Sequence, residues 1–315
     1  MRTMTKGIST TPFTRTIIEF KRQWQLWLLL LLPITYFIIF QYTPMYGVII
    51  AFKDFNGIKG IWGSDWAGLK HFTRFFQSPS FSKVVYNTIA LSIYSILATF
   101  PIPIVLALAI NSCLYGRFKK VVQMSSYAPY FISTVVLVGM MYQFFSPKFG
   151  IVNNYLKLLG IEPIMFMGVT SYFRHMYVWS DVWQNAGWGS IIYVSVLSSV
   201  DHEQHEAALI DGASRFKRLL YIEIPAIVPT IITLFILRTG FLMSVGFEKV
   251  FLMQTATNLQ VSQVISTFVY QVGFSSQLPS YSYGTAIGLF NSFINFFLIM
   301  LVNSIARRFS ETSIW

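Results

Sequence analysis

The sequence predicts an all-α integral membrane protein with six transmembrane helices. Hydrophobic residues make up 54% of its 315 residues and charged residues only 11%, whereas a soluble domain carries about a quarter charged residues. Mean hydropathy is +0.57. The six longest apolar runs each reach about twenty residues, which is enough to cross a hydrocarbon core of about 30 Å. Composition and run length therefore place the chain in a bilayer.

The first two predicted spans, 26–50 and 84–111, carry different local signals. The first follows the basic pair Lys21-Arg22 and has no small-residue cleavage site, so we interpret it as a retained span and not as a removed signal peptide. The second contains Pro101 and Pro103, which kink a helix and free backbone carbonyls that must then face protein or water. A solid hydrophobic bundle is therefore not expected.

The other four predicted spans are apolar runs of similar length. They lie at 121–145, 176–200, 222–245 and 284–306. Pro129 and Pro229 predict kinks in the third and fifth of the six spans. Gly284 and Gly288 in the last span allow close helix contact, although such pairs are common in membrane helices.

Basic residues set the predicted orientation. The chain carries 23 lysines and arginines against 12 acidic residues, a net charge of +11. Its basic residues are denser in one set of connecting segments than in the other, which predicts that both termini are cytoplasmic. The predicted organisation is a cytoplasmic segment 1–25, a six-helix domain 26–306 and a cytoplasmic tail 307–315. Dispersal of this charge over two membrane faces gives no support for nucleic-acid binding.

A sequence motif between the fourth and fifth spans predicts a compact loop at 201–225. The pattern E-A-A-x3-G-x9-I-x-I-P begins at Glu206 and ends at Pro225. Strong helix formers precede Gly212, which permits the positive φ that ends a helix. Such a cytoplasmic coupling loop suits insertion into a groove of a soluble partner, while an ordinary surface helix is the alternative. The candidate contact residues are Glu206, Ala207, Ala208, Asp211, Gly212, Ala213, Ile222 and Pro225.

Polar residues within the spans are the candidates for a substrate path, because ionisable groups in a membrane are costly and face a cavity or a partner. Asp181 and Arg238 both fall in the outer half of the bilayer at 1.5 Å per residue, so a salt bridge and a direct ligand role both stay open. Gln184, Asn185 and Trp188 share one helical face with Asp181. Amides and an indole suit sugar hydroxyls and a pyranose face. The predicted path residues are Asp181, Gln184, Asn185, Trp188, Arg238 and Asn291.

Enzymatic motifs are absent from the sequence in any credible context. His202 and His205 are three apart, whereas zincin histidines are four apart on a helix. The segment after Gly68 lacks the Lys-Ser/Thr pair of a phosphate-binding loop. The one cysteine, Cys113, forms no internal disulfide. No metal, no cofactor and no catalytic group is therefore expected in this chain.

The coupling-loop motif and the six predicted spans together resemble the permease subunit of a binding-protein-dependent ABC importer of the carbohydrate-uptake family. The runs 246–253, 281–291 and 308–315 resemble the group that serves polysaccharide-derived oligosaccharides such as alginate and pectin fragments. Ile224 stands where many relatives have leucine, and His205 where an aromatic residue is common. Neither change should disturb the coupling loop.

The resemblance implies a type I importer permease fold in the cytoplasmic membrane of a bacterium. It also implies several partners, namely a second, similar permease, two cytoplasmic ATPase subunits that use ATP and Mg²⁺, an extracytoplasmic solute-binding protein and an oligosaccharide substrate. An ion-coupled secondary transporter is the alternative. That class needs a relay of ionisable groups and often shows inverted repeats, whereas only Asp181 and Arg238 stand out here and no repeat is evident.

Overall fold

The computed structural model describes residues 22–309 and consists of long helices joined by short helical segments. In chain order the helices are α1 (Trp24–Phe52), α2 (Lys70–Gln77), α3 (Pro79–Asn111), α4 (Gly116–Phe131), α5 (Thr134–Phe144), α6 (Ile151–Leu158), α7 (Thr170–Ser198), α8 (His202–Ile210), α9 (Arg215–Thr239), α10 (Phe247–Met253), α11 (Ile265–Tyr270) and α12 (Tyr281–Phe309). A two-stranded antiparallel hairpin pairs β1 (Lys53–Asp54) with β2 (Asp65–Trp66). Single helical turns occupy Gly60–Gly63 and Leu259–Ser262. The predicted all-α class is confirmed. The predicted segments 1–25 and 307–315 lie largely outside the described residues.

Four of the helices that the structure describes, α1, α3, α9 and α12, are long and apolar enough to cross a membrane. The pair α4 and α5 supplies a fifth crossing if it counts as one span. Helix α7 corresponds to the predicted span 176–200 and has 29 residues, or about 44 Å at 1.5 Å per residue. Because it carries Arg174, His175 and Asp181, it is less apolar than the other long helices.

The third predicted span, 121–145, is not one continuous helix. Helices α4 and α5 meet at an angle of 101°. Pro129 lies in a 3-10 turn at the end of α4, and Ile132 and Ser133 are extended before α5 begins. The Ser133 hydroxyl then accepts from the Val136 N–H at 3.4 Å and caps α5. The expected kink at Pro129 is therefore a full break of the helix.

The fifth predicted span, 222–245, also ends earlier than expected. Helix α9 begins at Arg215 and ends at Thr239, and tight turns carry the chain from Gly240 to Ser244. Asn295 of α12 accepts the Met243 N–H at 2.9 Å. That hydrogen bond replaces a helical one, so the chain can leave the helix without an unsatisfied backbone donor.

Helix α7 lies at the centre of the molecule, where it packs against α3, α4, α9 and α10. One cluster of buried side chains surrounds its first half and includes Phe173, Val178 and Val250, and a second surrounds its last turns and includes Tyr193 and Ile227. Close approach of α4 depends on Gly187, because a Cβ at that position would overlap the Ser126 carbonyl. Helix α7 is therefore the element on which α3, α4, α9 and α10 are positioned.

The segment after α9 is much more buried than a surface connector. Lys249, Val250 and Asn258 are each less than 9% exposed. The Asn258 side chain donates to the carbonyls of Met167 and Met253, both at 2.9 Å. The segment 246–270 is thus part of the core and holds side chains against α7.

The hairpin is attached to α2 through charged groups. Lys70 donates to the Asp54 carboxylate at 2.8 Å, and His71 lies 3.1 Å from its other oxygen. The hydrogen bond from Lys70, together with the charges of both neighbours, holds the pKa of the Asp54 carboxyl below its ordinary value, although burial opposes the shift. These contacts hold the segment that follows α1 against α2.

We expect Gly187→Ala to destabilise the protein by at least the cost of overpacking, about 1–3 kcal/mol, because its methyl group would meet backbone and not a movable side chain. Thermal unfolding of the detergent-solubilised protein measures the change. Gly139→Ala is the matched control, since Gly139 is also helical and a Cβ there contacts nothing within 4 Å. Equal unfolding temperatures for the two variants would contradict the assigned contact between α4 and α7.

Candidate functional site

A cavity of about 350 Å³ lies between α3, α7 and the turn that follows α9. Ligand pockets for small molecules begin at about this size. Its polar side chains are Ser92, Ser95, Tyr177, Asp181, Arg238 and Ser244. The predicted residues Asp181 and Arg238 are therefore brought together on one cavity wall.

Asp181 is the centre of the charged groups at this cavity. Its carboxylate lies 3.5 Å from the Lys249 Nζ and 4.0 Å from the nearest Arg238 nitrogen. The Lys249 side chain is only 7% exposed, and its ammonium group sits 4.9 Å from the centre of the Tyr177 ring. Asp181 and the ring face together stabilise a cation that burial alone would disfavour.

Lys249 is not among the residues that the sequence predicts for the substrate path. The local signal is weak, since Lys249 sits in the apolar run Gly246–Met253 beside Glu248. The structure shows that α10 folds back against α7, and this contact brings the lysine closer to Asp181 than Arg238 is. The predicted pairing of Asp181 with Arg238 is the looser of the two contacts.

Arg238 remains available at the cavity. Its side chain is 53% exposed, and its second polar contact is a 3.5 Å hydrogen bond to the Thr99 hydroxyl. An exposed guanidinium on a membrane-spanning helix must face water, a partner or polar protein and not lipid tails. Its position therefore identifies a polar face of α9.

The side chains of Gln184 and Asn185 form hydrogen bonds with neighbouring groups of the protein. Gln184 is buried, and its Nε2 donates to the Ile132 carbonyl at 2.7 Å, which satisfies the acceptor freed by the break between α4 and α5. The Asn185 amide donates to the Asp181 carboxylate at 3.0 Å. Asn185 thus orients the Asp181 carboxylate, Gln184 stabilises the break between α4 and α5, and neither side chain lines the cavity.

Trp188 and Asn291 also lie outside the cavity lining. The Trp188 indole stacks on Tyr130, with ring centres 4.4 Å apart and an interplanar angle of 4°. One indole face is therefore covered, while the side chain as a whole is 42% exposed. Asn291 Oδ1 is buried and has no hydrogen-bond partner among the described residues.

The loop 201–225 forms a helix, a tight turn and a second helix. Asp201 caps α8 by accepting the Glu203 N–H at 3.0 Å. At the other end Gly212 has φ +74°, the Gly212 N–H donates to the Leu209 carbonyl and the Ala213 N–H donates to the Ala208 carbonyl at 2.8 Å. This pair of hydrogen bonds is a Schellman motif, which fixes the end of α8.

The surface of this loop is apolar as well as charged. Leu209 is 54% exposed and Ile210 is 88% exposed. Glu206, Ala207, Asp211 and Gly212 are exposed beside them, whereas Ala208, Ala213 and Ile222 are half-buried and Pro225 is exposed at the start of the membrane span. Exposed large aliphatic side chains next to a rigid turn are typical of a protein-docking surface.

A polar cavity inside a bundle of membrane helices, together with an exposed helix-turn-helix loop, fits the membrane component of a transport system. The chain belongs to the family of inner membrane components of binding-protein-dependent transport systems, whose family pattern matches residues 99–311. Its function is thus transport and not catalysis. Membership of this family also rules out the alternative class of an ion-coupled secondary transporter.

Two relatives from Bacillus subtilis strain 168 match nearly the whole chain. The chain is 40% identical to protein LplB over 94% of this chain and 92% of that protein. It is 38% identical to the polygalacturonan/rhamnogalacturonan transport system permease protein YteP, over 96% of this chain and 93% of that protein.

Solved structures show the same fold. A chain of a bacterial ABC transporter involved in the import of the acidic polysaccharide alginate superposes with a TM-score of 0.85 and 37% identity, covering 93% of this chain and 99% of that chain. In a complex of the alginate transporter with an alginate pentasaccharide-bound periplasmic protein, the TM-score is 0.86 at 36% identity, covering 94% of this chain and 98% of that chain. The predicted type I importer permease fold is confirmed.

We expect Lys249→Met to destabilise the protein by about 1–3 kcal/mol, because the Asp181 carboxylate loses its nearer cation and keeps only Arg238 and the Asn185 amide. The double variant Lys249→Met/Asp181→Asn should recover most of that loss, since it removes both charges. Thermal unfolding in detergent measures both. A double variant no more stable than the single one would show that the two side chains do not form a coupled pair.

Proposed function

We propose that this chain forms part of the transmembrane path for oligosaccharides in an ATP-driven importer. The observation that carries the proposal is the match, along nearly the whole chain, to the fold of a permease that imports a polysaccharide. YteP, which is named as a polygalacturonan/rhamnogalacturonan transport system permease protein, supports the same substrate class. An extracytoplasmic solute-binding protein would deliver the sugar, as the alginate complex suggests.

The other partners that we propose fit the polar cavity wall and the exposed loop. A path through the membrane needs a wall on its other side, which a second, similar permease would supply. Two cytoplasmic ATPase subunits, with ATP and Mg²⁺ bound to them, would receive the coupling loop 201–225. In this proposal the loop and both termini lie in the cytoplasm of a bacterium.

The coupling contact would use the exposed end of α8. Leu209 and Ile210 offer apolar area, and Glu206 and Asp211 flank it with negative charge. The side chains of Ala207 and Ala208 are small, so a groove of the partner subunit could approach the helix closely. The Schellman turn at Gly212 holds this surface in a fixed direction relative to α9.

The sugar path would run past the cavity at Asp181 and Arg238. Hydroxyls of Ser92, Ser95 and Ser244 give this wall the donors and acceptors that a sugar requires. Asn185 would hold the Asp181 carboxylate beside this path, whereas Gln184 and Trp188 contact the segment Tyr130–Ile132 and Asn291 lies on α12.

We expect Gly212→Val to lower transport and substrate-stimulated ATP hydrolysis together. The cause is backbone conformation, because a β-branched residue disfavours positive φ by about 1–2 kcal/mol, while no atom would obstruct its Cβ. Gly212→Asn is the matched control, since asparagine tolerates this conformation. Uptake and ATPase assays of the complete importer in proteoliposomes measure both. Wild-type coupling in Gly212→Val would remove the coupling role of this loop.

We expect a cysteine at position 95 to react with a water-soluble thiol reagent, because Ser95 lines the polar cavity. The experiment uses a Cys113→Ser background, since Cys113 is the one native cysteine. Leu97→Cys is the control on the same helix, where the native side chain is apolar and 68% exposed. Labelling of the complete importer with and without ATP reports access. Protection at 95 in all conditions, or equal labelling at 97, would place the water path elsewhere.

A further inference from the structure

An apolar groove of about 420 Å³ lies between α5 and the first half of α7. Methionine and aromatic side chains line it, among them Met140, Phe144, Phe166, Tyr172, Trp179 and Trp183. A polar pocket of about 490 Å³ lies beside it, near the start of α7, and its polar side chains are Tyr94, Thr170, Ser171, Arg174 and His175. We propose that the groove and the pocket together bind one phospholipid, with an acyl chain in the groove and the phosphate at Arg174.

Few polar groups at the groove are free to bind a hydroxylated ligand. The Ser180 hydroxyl donates to the Tyr177 carbonyl at 3.0 Å. The Trp179 Nε1–H donates to the Tyr94 hydroxyl at 3.0 Å. A sugar would give up hydrogen bonds to water here with little in return. An acyl chain gives up none, and flexible methionine side chains adapt to its shape.

The groove lies on the opposite face of α7 from the polar cavity. Trp179 and Trp183 are each two residues from Asp181, which is a rotation of about 200° around a helix with 3.6 residues per turn. The cavity side of α7 is the one that the second permease is proposed to close, so the groove faces away from that partner. Trp179 and Trp183 are about half exposed, and lipid is the neighbour that suits such side chains near a membrane surface.

Three side chains in contact join the groove to the polar pocket. The Tyr94 hydroxyl accepts the hydrogen bond of Trp179 and also lies 2.8 Å from the His175 Nδ1. His175 lines both the groove and the pocket. The two spaces are therefore neighbours with one shared wall, as an amphiphilic ligand requires.

Arg174 gives the polar pocket its positive charge. The guanidinium donates to the Asn87 Oδ1 at 3.1 Å and lies 5.4 Å from the centre of the Tyr86 ring, and both of these groups are neutral. A guanidinium fork matches the oxygens of a phosphate. The hydroxyls of Thr170 and Ser171 on the same pocket wall can donate to a phosphate as well. A phosphodiester thus complements this pocket in charge and in hydrogen bonding.

The order of the two spaces along α7 matches the order of the parts of a lipid. Arg174 is four residues from the start of α7, or about 6 Å at 1.5 Å per residue, and it precedes the predicted span 176–200. The groove continues from there to Trp183. Headgroups lie outside the hydrocarbon core and acyl chains within it. A lipid of the leaflet opposite the coupling loop would therefore meet the pocket and the groove in the correct order.

The test uses the complete importer in nanodiscs that contain a trace of phosphatidylglycerol with a photoreactive diazirine in one acyl chain. Illumination and peptide mapping by mass spectrometry show which residues contact that chain. Label at the groove should exceed label at two exposed control sites, Leu32 of α1 and Phe297 of α12, by about tenfold or more, the worth of a hydrogen bond to a charge. Diacylglycerol with the same chain lacks the phosphate and should show no such excess. Soluble glycerophosphoglycerol, the headgroup without chains, should not displace the label, which distinguishes a lipid from a free phosphate ester.

Two pairs of variants separate the groove from the pocket. Met140→Trp fills the groove and should lower its label to the level of the control sites. Val135→Trp is the matched control, because Val135 is on the same helix, is 56% exposed and lies outside the groove. Arg174→Gln should remove the preference for phosphatidylglycerol over diacylglycerol. Arg74→Gln, on α2 and outside the polar pocket, should keep it.

Equal label at the groove and at the control sites, or an equal excess for the two lipids, would overturn the proposal. So would a Met140→Trp importer that keeps the wild-type excess. Label at the control sites without label at the groove would show that a protein subunit covers the groove, and this too would overturn it. These comparisons decide the matter even if Arg174→Gln does not assemble. Oligosaccharide uptake is a separate measurement, so the proposed function stands or fails independently.

Discussion

The fold depends on one constraint, which is that polar groups inside a membrane domain must find their partners within the protein. At the break between α4 and α5, Gln184 donates to the Ile132 carbonyl that helix formation no longer satisfies. Where the chain leaves α9, Asn295 accepts the free N–H of Met243. Asp181 does the same for the buried charge of Lys249. Each side chain permits an irregular backbone or a charge at a depth where water cannot compensate.

These same irregularities create the cavity. Because α9 ends at Thr239, the turn through Ser244 forms a wall that a straight helix would not provide. The return of α10 then brings Lys249 against α7, and the freed face of α9 presents Arg238. A regular six-helix bundle of the same composition would bury its polar groups against one another and leave no polar surface for a solute.

Hydropathy and motif spacing predicted the helical class, the approximate position of the long apolar helices and the loop at Gly212, because these depend on local composition and on one backbone conformation. The break near Ile132 could be anticipated only as a kink at Pro129, since its stability comes from Gln184, which lies 52 residues further along the chain. Lys249 could not be assigned to Asp181 for the same reason. Lys249 reaches Asp181 because the short helix α10 folds back against α7. Neither hydropathy nor periodicity specifies how a short helix packs against a distant part of the chain.

The coupling loop joins α9 through a π turn at Leu219–Glu223, which holds more residues per turn than an α-helix. Within Arg215–Thr239 the π turn absorbs this extra residue, so its loss would restore regular helical bonding with little rotation of the loop. Loss of one residue from a regular turn of the helix would instead rotate the loop by about 100° around the axis of α9. The number of residues in the regular turns between Gly212 and the membrane is therefore under as strict a constraint as their identity, and length variation in this family should be confined to the π turn.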